Sequence, residues 1–185
     1  TGTDSDTVSY AYGLAGTTGV TVSLVASTAQ ATGGSGSDTL LSIENLIGSA
    51  YADKLTGNTG ANSLSGAAGN DTLDGGAGID TMAGGDGSDG YYVRDSGDIV
   101  SETNATTSTG GTDIVYSTLA AYTLTANVEN GRILLTTAAN LTGNSGNNVL
   151  YAGAGNNVLN GGTGTDTVSY AYGLAGTTGV TVNLV

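Results

Sequence analysis

The sequence predicts an all-β chain, wound as a right-handed parallel β-roll (a β-solenoid) of nonapeptide repeats with irregular β spacer segments. Three observations predict it. Nine-residue units opening on glycine recur along the chain, each carries one apolar residue at the same place, and the 185 residues include 33 Gly and no Pro. Glycine supplies turn conformations with φ > 0 and lets neighbouring turns approach closely. The composition also sets a problem. Leu, Ile and Val total 37, Phe and Trp are absent, and the net charge is −13. Such a chain lies at the border where too little apolar surface is buried to fold. A regular pattern and a bound cation are expected to supply what the core lacks.

In chain order, the first element is a phrase that returns far downstream. Residues 6–22 read DTVSYAYGLAGTTGVTV, and 166–182 repeat it without a change at an offset of 160. This implies a longer protein of tandem blocks, with 170–185 as the start of the next one. Residues 1–47 are expected to be spacer strands holding one isolated nonapeptide, GGSGSDTLL at 33–41. From residue 48 the chain divides into GSAYADKLT, GNTGANSLS, GAAGNDTLD, GGAGIDTMA and GGDGSDGYY, so 48–98 is expected to be a first roll. Residues 99–142 are expected to be a β spacer segment. A second, degenerate roll follows at 143–169 as GNSGNNVLY, AGAGNNVLN and GGTGTDTVS.

Each unit ends in a very short strand with one side chain pointing inward. Leu55, Leu64, Leu73, Met82 and Tyr91 hold that slot in the first roll, and Leu150, Leu159 and Val168 hold it in the second. One strand and one turn make half a coil. Two nonapeptides therefore close a coil of eighteen residues, and turns eighteen apart stack about 4.8 Å apart, the spacing of neighbouring strands.

Composition excludes several functions. Without Cys or His there is no thiolate nucleophile, Ser-His triad, zinc finger or His- or Cys-ligated haem. Three basic residues (Lys54, Arg94, Arg132) stand against sixteen acids, a balance that repels nucleic acid and anionic lipid. No apolar run approaches the roughly 20 residues of a membrane span, and no basic-then-apolar leader opens the sequence, so membrane insertion is not expected.

The acids are placed to hold a cation. Asp53, Asp71 and Asp89 are spaced by eighteen, as are Asn62, Asp80 and Asp98 on the opposite edge. Stacked carboxylates repel unless a cation lies between them. Calcium accepts 6–8 oxygen ligands, backbone carbonyls included, whereas magnesium wants a stricter octahedron and softer metals want the absent His or Cys. Several calcium ions are the expected cofactor.

These nonapeptides, G-G-x-G-x-D-x-U-x over 48–92 and 143–169 and once at 33–41, resemble the hemolysin-type calcium-binding repeat of the RTX (repeats-in-toxin) β-roll family. The stretches 7–25 and 93–140 resemble its spacers. The resemblance implies which oxygens bind: carbonyls at positions two and four of one turn with its Asp, and carbonyls at positions one and three of the stacked turn with its Asp. One ion is then expected among Ala67, Gly69, Asp71, Gly84, Asp86 and Asp89. A second uses Asn58, Gly60, Asn62, Gly75, Ala77 and Asp80. A third joins Ser49, Tyr51 and Asp53 to Gly66, Ala68 and Asp71. A fourth would combine Gly76, Gly78 and Asp80 with Asp95 and Asp98, although VRDSGD departs from the pattern. In the second roll Asn148 and Asn157 stand at Asp positions and only Asp166 keeps its carboxylate, so weaker binding is expected, with Asn ladders as the metal-free alternative.

Other signals have plainer readings. Glu44 and Glu129, in the phrases IEN and VEN, lack the constellation a glycoside hydrolase needs and fit spacer positions, capping a coil or touching an ion. Tyr10 and Tyr12 alternate and could stack on a sugar, but filling a thin core is favoured. The chain is not expected to be an enzyme. The expected function is a calcium-dependent folding and spacer module of a large secreted or cell-surface repeat protein, such as an adhesin, surface-layer protein or exoprotein. Its expected partners are calcium and tandem copies of its own repeat. The alternatives are a module binding a glycan or cell-surface partner, or the non-catalytic C-terminal region of a secreted protease or lipase.

Overall fold

A computed structural model describes residues 4–12, 17–104 and 108–171. Among them there is no helix, and the strands are three to six residues long. They wind into a solenoid with two faces. The long face is an eight-stranded parallel sheet of β2 (Thr21–Ser23), β6 (Lys54–Thr56), β8 (Thr72–Asp74), β10 (Gly90–Val93), β12 (Ile114–Ser117), β14 (Asn130–Ile133), β16 (Val149–Tyr151) and β18 (Thr167–Ser169). The opposite face is divided in two. Five strands come first: β1 (Thr7–Ser9), β5 (Asn45–Ile47), β7 (Ser63–Ala68), β9 (Thr81–Asp86) and β11 (Ile99–Ser101). Three follow: β13 (Ala121–Thr123), β15 (Ala139–Thr142) and β17 (Asn157–Asn160).

The nine-residue pattern explains the register. Lys54, Leu55 and Thr56 lie beside Thr72, Leu73 and Asp74, which lie beside Gly90, Tyr91 and Tyr92. On the other face Leu46, Leu64, Met82 and Val100 align. Every one of these central apolar side chains is buried. The core is therefore a double file of single side chains, each contributing about 1.5–3 kcal/mol when fully removed from water. Near the far end the file thins. Gly131 takes the slot between Val115 and Leu150, and Leu124 and Leu141 occupy the space a side chain there would need. Leu159 is only partly buried and Val168 is 39% exposed.

Three expected features take definite form. The unit at 33–41 does not form a coil: β3 (Gln30–Gly33) and β4 (Gly36–Asp38) pair antiparallel as a hairpin, turning through positive φ at Gly33 and Gly36. It has no partner unit eighteen residues away, so nothing stacks its turn. Residues 99–142 do not separate two rolls. They supply β11 to β15, and the long sheet runs through β12 and β14 without a break. Tyr10 is buried in the core, as filling a thin core requires, whereas Tyr12 is 92% exposed, so the two do not form a shared stacking face. The expected start of a new block lies outside the described residues beyond 171.

Candidate metal centre

The two edges of the solenoid are where the turns stack. On the first edge, turns cross from the divided face to the long face and end at Asp53, Asp71, Asp89, Asp113, Glu129, Asn148 and Asp166. On the second, turns run the other way and end at Glu44, Asn62, Asp80 and Asp98, then at Ala120, Ala139 and Asn157. Backbone N–H groups tie each ladder together. Asp53 N–H donates to Asp71 Oδ1 at 2.8 Å, Asp71 N–H to Asp89 Oδ1 at 2.7 Å, and Asp89 N–H to Asp113 Oδ1 at 2.8 Å. Asn62 and Asp80 N–H groups donate likewise to Asp80 and Asp98.

Sequence reasoning found the eighteen-residue members, read Glu44 and Glu129 as capping a coil or touching an ion, and missed Asp113. Asp113 follows Asp89 by 24 residues, and Glu129 follows Asp113 by 16, yet Glu129 Oε2 accepts from Asp113 N–H at 2.8 Å. Glu44 accepts from Asp6 N–H at 2.9 Å. The two glutamates are ladder members on opposite edges, so they do not face each other as a pair. For Glu44 the signal was present, since it precedes Asn62 by eighteen.

The turns take two forms, set by the second position. In 66–71, 75–80, 84–89 and 161–166 the second and fourth residues have positive φ: Ala67 and Gly69, Gly76 and Gly78, Gly85 and Gly87, Gly162 and Gly164. In 48–53, 57–62, 93–98 and 143–148 the second residue carries a larger side chain and a different backbone. There its N–H caps the ladder side chain: Ser49 to Asp53 Oδ2, Asn58 to Asn62, Arg94 to Asp98, and Asn144 to Asn148. The first form leaves an acid oxygen free. Asp71 Oδ2, Asp80 Oδ2 and Asp89 Oδ2 are buried with no hydrogen-bond partner.

Those oxygens face the turn interior. A Cβ at Gly66, Gly75 or Gly84 would strike the Oδ2 of Asp71, Asp80 or Asp89. The carbonyls of Ala67 and Gly69 point at Gly85 and Gly87 of the next turn, and those of Asn58 and Gly60 point at Gly76 and Gly78, leaving no room for side chains there. Carbonyls and unpartnered carboxylate oxygens thus line the stacked turns, and oxygen donors of both kinds suit calcium. Burial pushes the Asp71 carboxyl up to about 7 and raises Asp80 and Asp89 as well. A buried anion without a cation is costly, and protonation is its other remedy.

The expected ligand sets therefore differ in kind. The turn of Ala67, Gly69 and Asp71 meets that of Gly84, Asp86 and Asp89 with both turns in the glycine form; Ala68 pairs with Asp86, and Asp86 O also accepts from Gly69 N–H at 2.8 Å. The turn of Gly75, Gly76, Ala77, Gly78 and Asp80 lies between two capped turns. On one side, Asn62 donates its amide to Glu44 O at 2.8 Å. On the other, Asp98 accepts from Arg94 and Asp95, and Asp95 accepts from Gly78 N–H. Asp53 is satisfied by Ser49 and Val20, so the set with Ser49, Tyr51, Gly66 and Ala68 has its free carboxylate oxygen on Asp71 alone.

In the second roll Asn amides bond to carbonyls of the preceding coil. Asn144 and Asn148 donate to the carbonyls of Thr125, Val128 and Glu129, and Asn157 donates to Ala139 O. Asp166 accepts from Asn148 N–H at 2.9 Å. Asn supplies its own donor where Asp must borrow a cation.

Comparison with known proteins agrees with this geometry. The RTX calcium-binding nonapeptide repeat matches in four copies, at residues 47–82, 56–91, 65–98 and 138–168. No curated protein matches the chain. Residues 47–98 and 138–168 thus carry the RTX calcium-binding nonapeptide repeat, which supports a calcium-binding repeat module, and the described residues fold as a β-solenoid.

Proposed function

We propose that the module uses calcium to complete its own fold and serves as a non-catalytic spacer within a larger secreted or cell-surface repeat protein, of the adhesin, surface-layer or exoprotein kind. The observation that carries this is the set of buried, unpartnered oxygens on Asp71, Asp80 and Asp89. Buried acids on both edges of a thin core, Asp71 and Asp89 on one and Asp80 on the other, oppose folding unless cations offset them. Ions that bind only the folded state stabilise it by mass action, and extracellular calcium modules bind at about 10⁻⁴–10⁻³ M. A chain of net charge −13 would then stay loose where calcium is scarce, which suits passage through an export channel, and would order outside. The seventeen-residue repeat at an offset of 160 supports a parent protein that lengthens by duplication.

The test is a calcium titration of chelated protein followed by circular dichroism. A coil-like spectrum is expected to convert to a β spectrum, with magnesium at equal concentration far less effective. A chelated protein that already gives a full β spectrum, and a melt indifferent to calcium, would overturn the coupling of metal to folding.

A further inference from the structure

The turn leading from β11 to β12 holds carboxylates that the eighteen-residue ladder does not explain. Ile99, Val100 and Ser101 lie beside Thr81, Met82 and Ala83, so Glu102 continues the register opposite Gly84, where the regular turns open on glycine. The chain then takes the twelve residues 102–113, rather than six, to reach the next strand. Asp113 closes this enlarged turn and rejoins the ladder through Asp89 N–H.

One oxygen from each of Asp89, Glu102 and Asp113 lies within 4.8 Å of the others, and all three residues are buried. Asp89 is 1% exposed and Glu102 7%. Asp89 Oδ2 and Glu102 Oε2 have no hydrogen-bond partner, while the other Glu102 oxygen takes the Tyr91 hydroxyl. Three buried carboxylates in mutual contact range cannot all stay ionised without a counter-charge.

We propose that Asp89, Glu102 and Asp113 form a further calcium site, distinct from those between paired nonapeptide turns and sharing Asp89 with them. Two oxygens on one calcium ion, each at 2.3–2.6 Å, are at most about 5 Å apart, and the 4.8 Å envelope fits that span. Magnesium, at 2.0–2.1 Å and strictly octahedral, would need the three drawn closer. The enlarged turn thus caps the glycine-form turns with a carboxylate where the nonapeptide pattern stops.

The site rests on the chain being a calcium module and adds one ion to it. Isothermal titration of the full chain with calcium decides, comparing wild type, Glu102→Gln and Asp80→Asn. Glu102→Gln is expected to bind one ion fewer than wild type. If Asp80→Asn loses calcium while Glu102→Gln keeps the full number, this site is overturned and the module reading stands; if wild type binds none, both fall. Should Glu102→Gln fail to give a β spectrum in saturating calcium, anomalous scattering from terbium-soaked wild-type crystals decides instead. A peak among the three carboxylates is expected, and peaks in the turns with none there would remove the site.

Discussion

At the scale of single residues, the second position of each turn governs what the ladder acid can do. Gly76 and Gly85 reach φ values of 95° and 107° without a side chain to obstruct them, but Ala67 stands at 81°. A non-glycine residue there costs about 1–2 kcal/mol, while glycine's extra freedom in the unfolded chain costs about 0.4–1 kcal/mol. The strain wins. Ala67→Gly is expected to stabilise the calcium-loaded protein by roughly 0.5–1 kcal/mol, measured as a higher urea midpoint in saturating calcium. An unchanged or lower midpoint would mean that the turn does not hold this conformation. Arg94 shows the limit of such reasoning. Its pairing with Asp74 at 2.7 Å is well formed, but with the side chain 43% exposed it contributes little.

At the scale of the turn, the contrast between Asp and Asn is one of self-sufficiency. Asn148 and Asn157 each donate to the carbonyl of the coil before them, whereas Asp71 has no donor and a spare oxygen. Asp71→Ala is therefore expected to reduce bound calcium, and Asn157→Ala is not. Equal losses in isothermal titration would show that the nonapeptide acids are not the ligands. This contrast was half legible in the sequence. The spacing of Asp53, Asp71 and Asp89 gave the edge, the coil length and the choice of ion, because a strict period survives without knowledge of packing. Asp113 was hidden, and the place of Glu129 in the ladder was not legible, because the coils that carry them are not eighteen residues long and only strand pairing aligns them. Glu102 was hidden for a different reason: its importance comes from lying opposite Gly84, a register set on the other face. The unit at 33–41, isolated in the sequence, has no stacked neighbour and folds as an antiparallel hairpin.

At the scale of the whole molecule, the acids make the metal-free fold sensitive to pH in an unusual direction. Folding moves Asp71 and Asp113 from 3.8 to about 7 and Glu102 from 4.5 to about 8, chiefly by burial. Across those windows the folded state keeps protons that the unfolded chain has lost, so stability falls as pH rises from about 4 to 8. Chelated protein is expected to show more β signal at pH 5 than at pH 8, read by circular dichroism. Calcium reverses the trend, because ions must displace those protons, and its apparent affinity is expected to weaken at pH 5. Chelated protein with less β signal at pH 5 would place the acids in water rather than in the core. The winding itself carries one more consequence. With the β3–β4 hairpin set aside, sixteen strands run from β1 to β18, alternating between faces, which makes fifteen steps. Fifteen is odd. The phrase TVS at Thr7–Ser9 accordingly lies on the divided face, while its copy at Thr167–Ser169 lies on the long one. Parity, rather than length, sets how such blocks would follow one another. Each copy would begin turned over relative to the last, so a feature on one side of the first block would recur on that side only in the third.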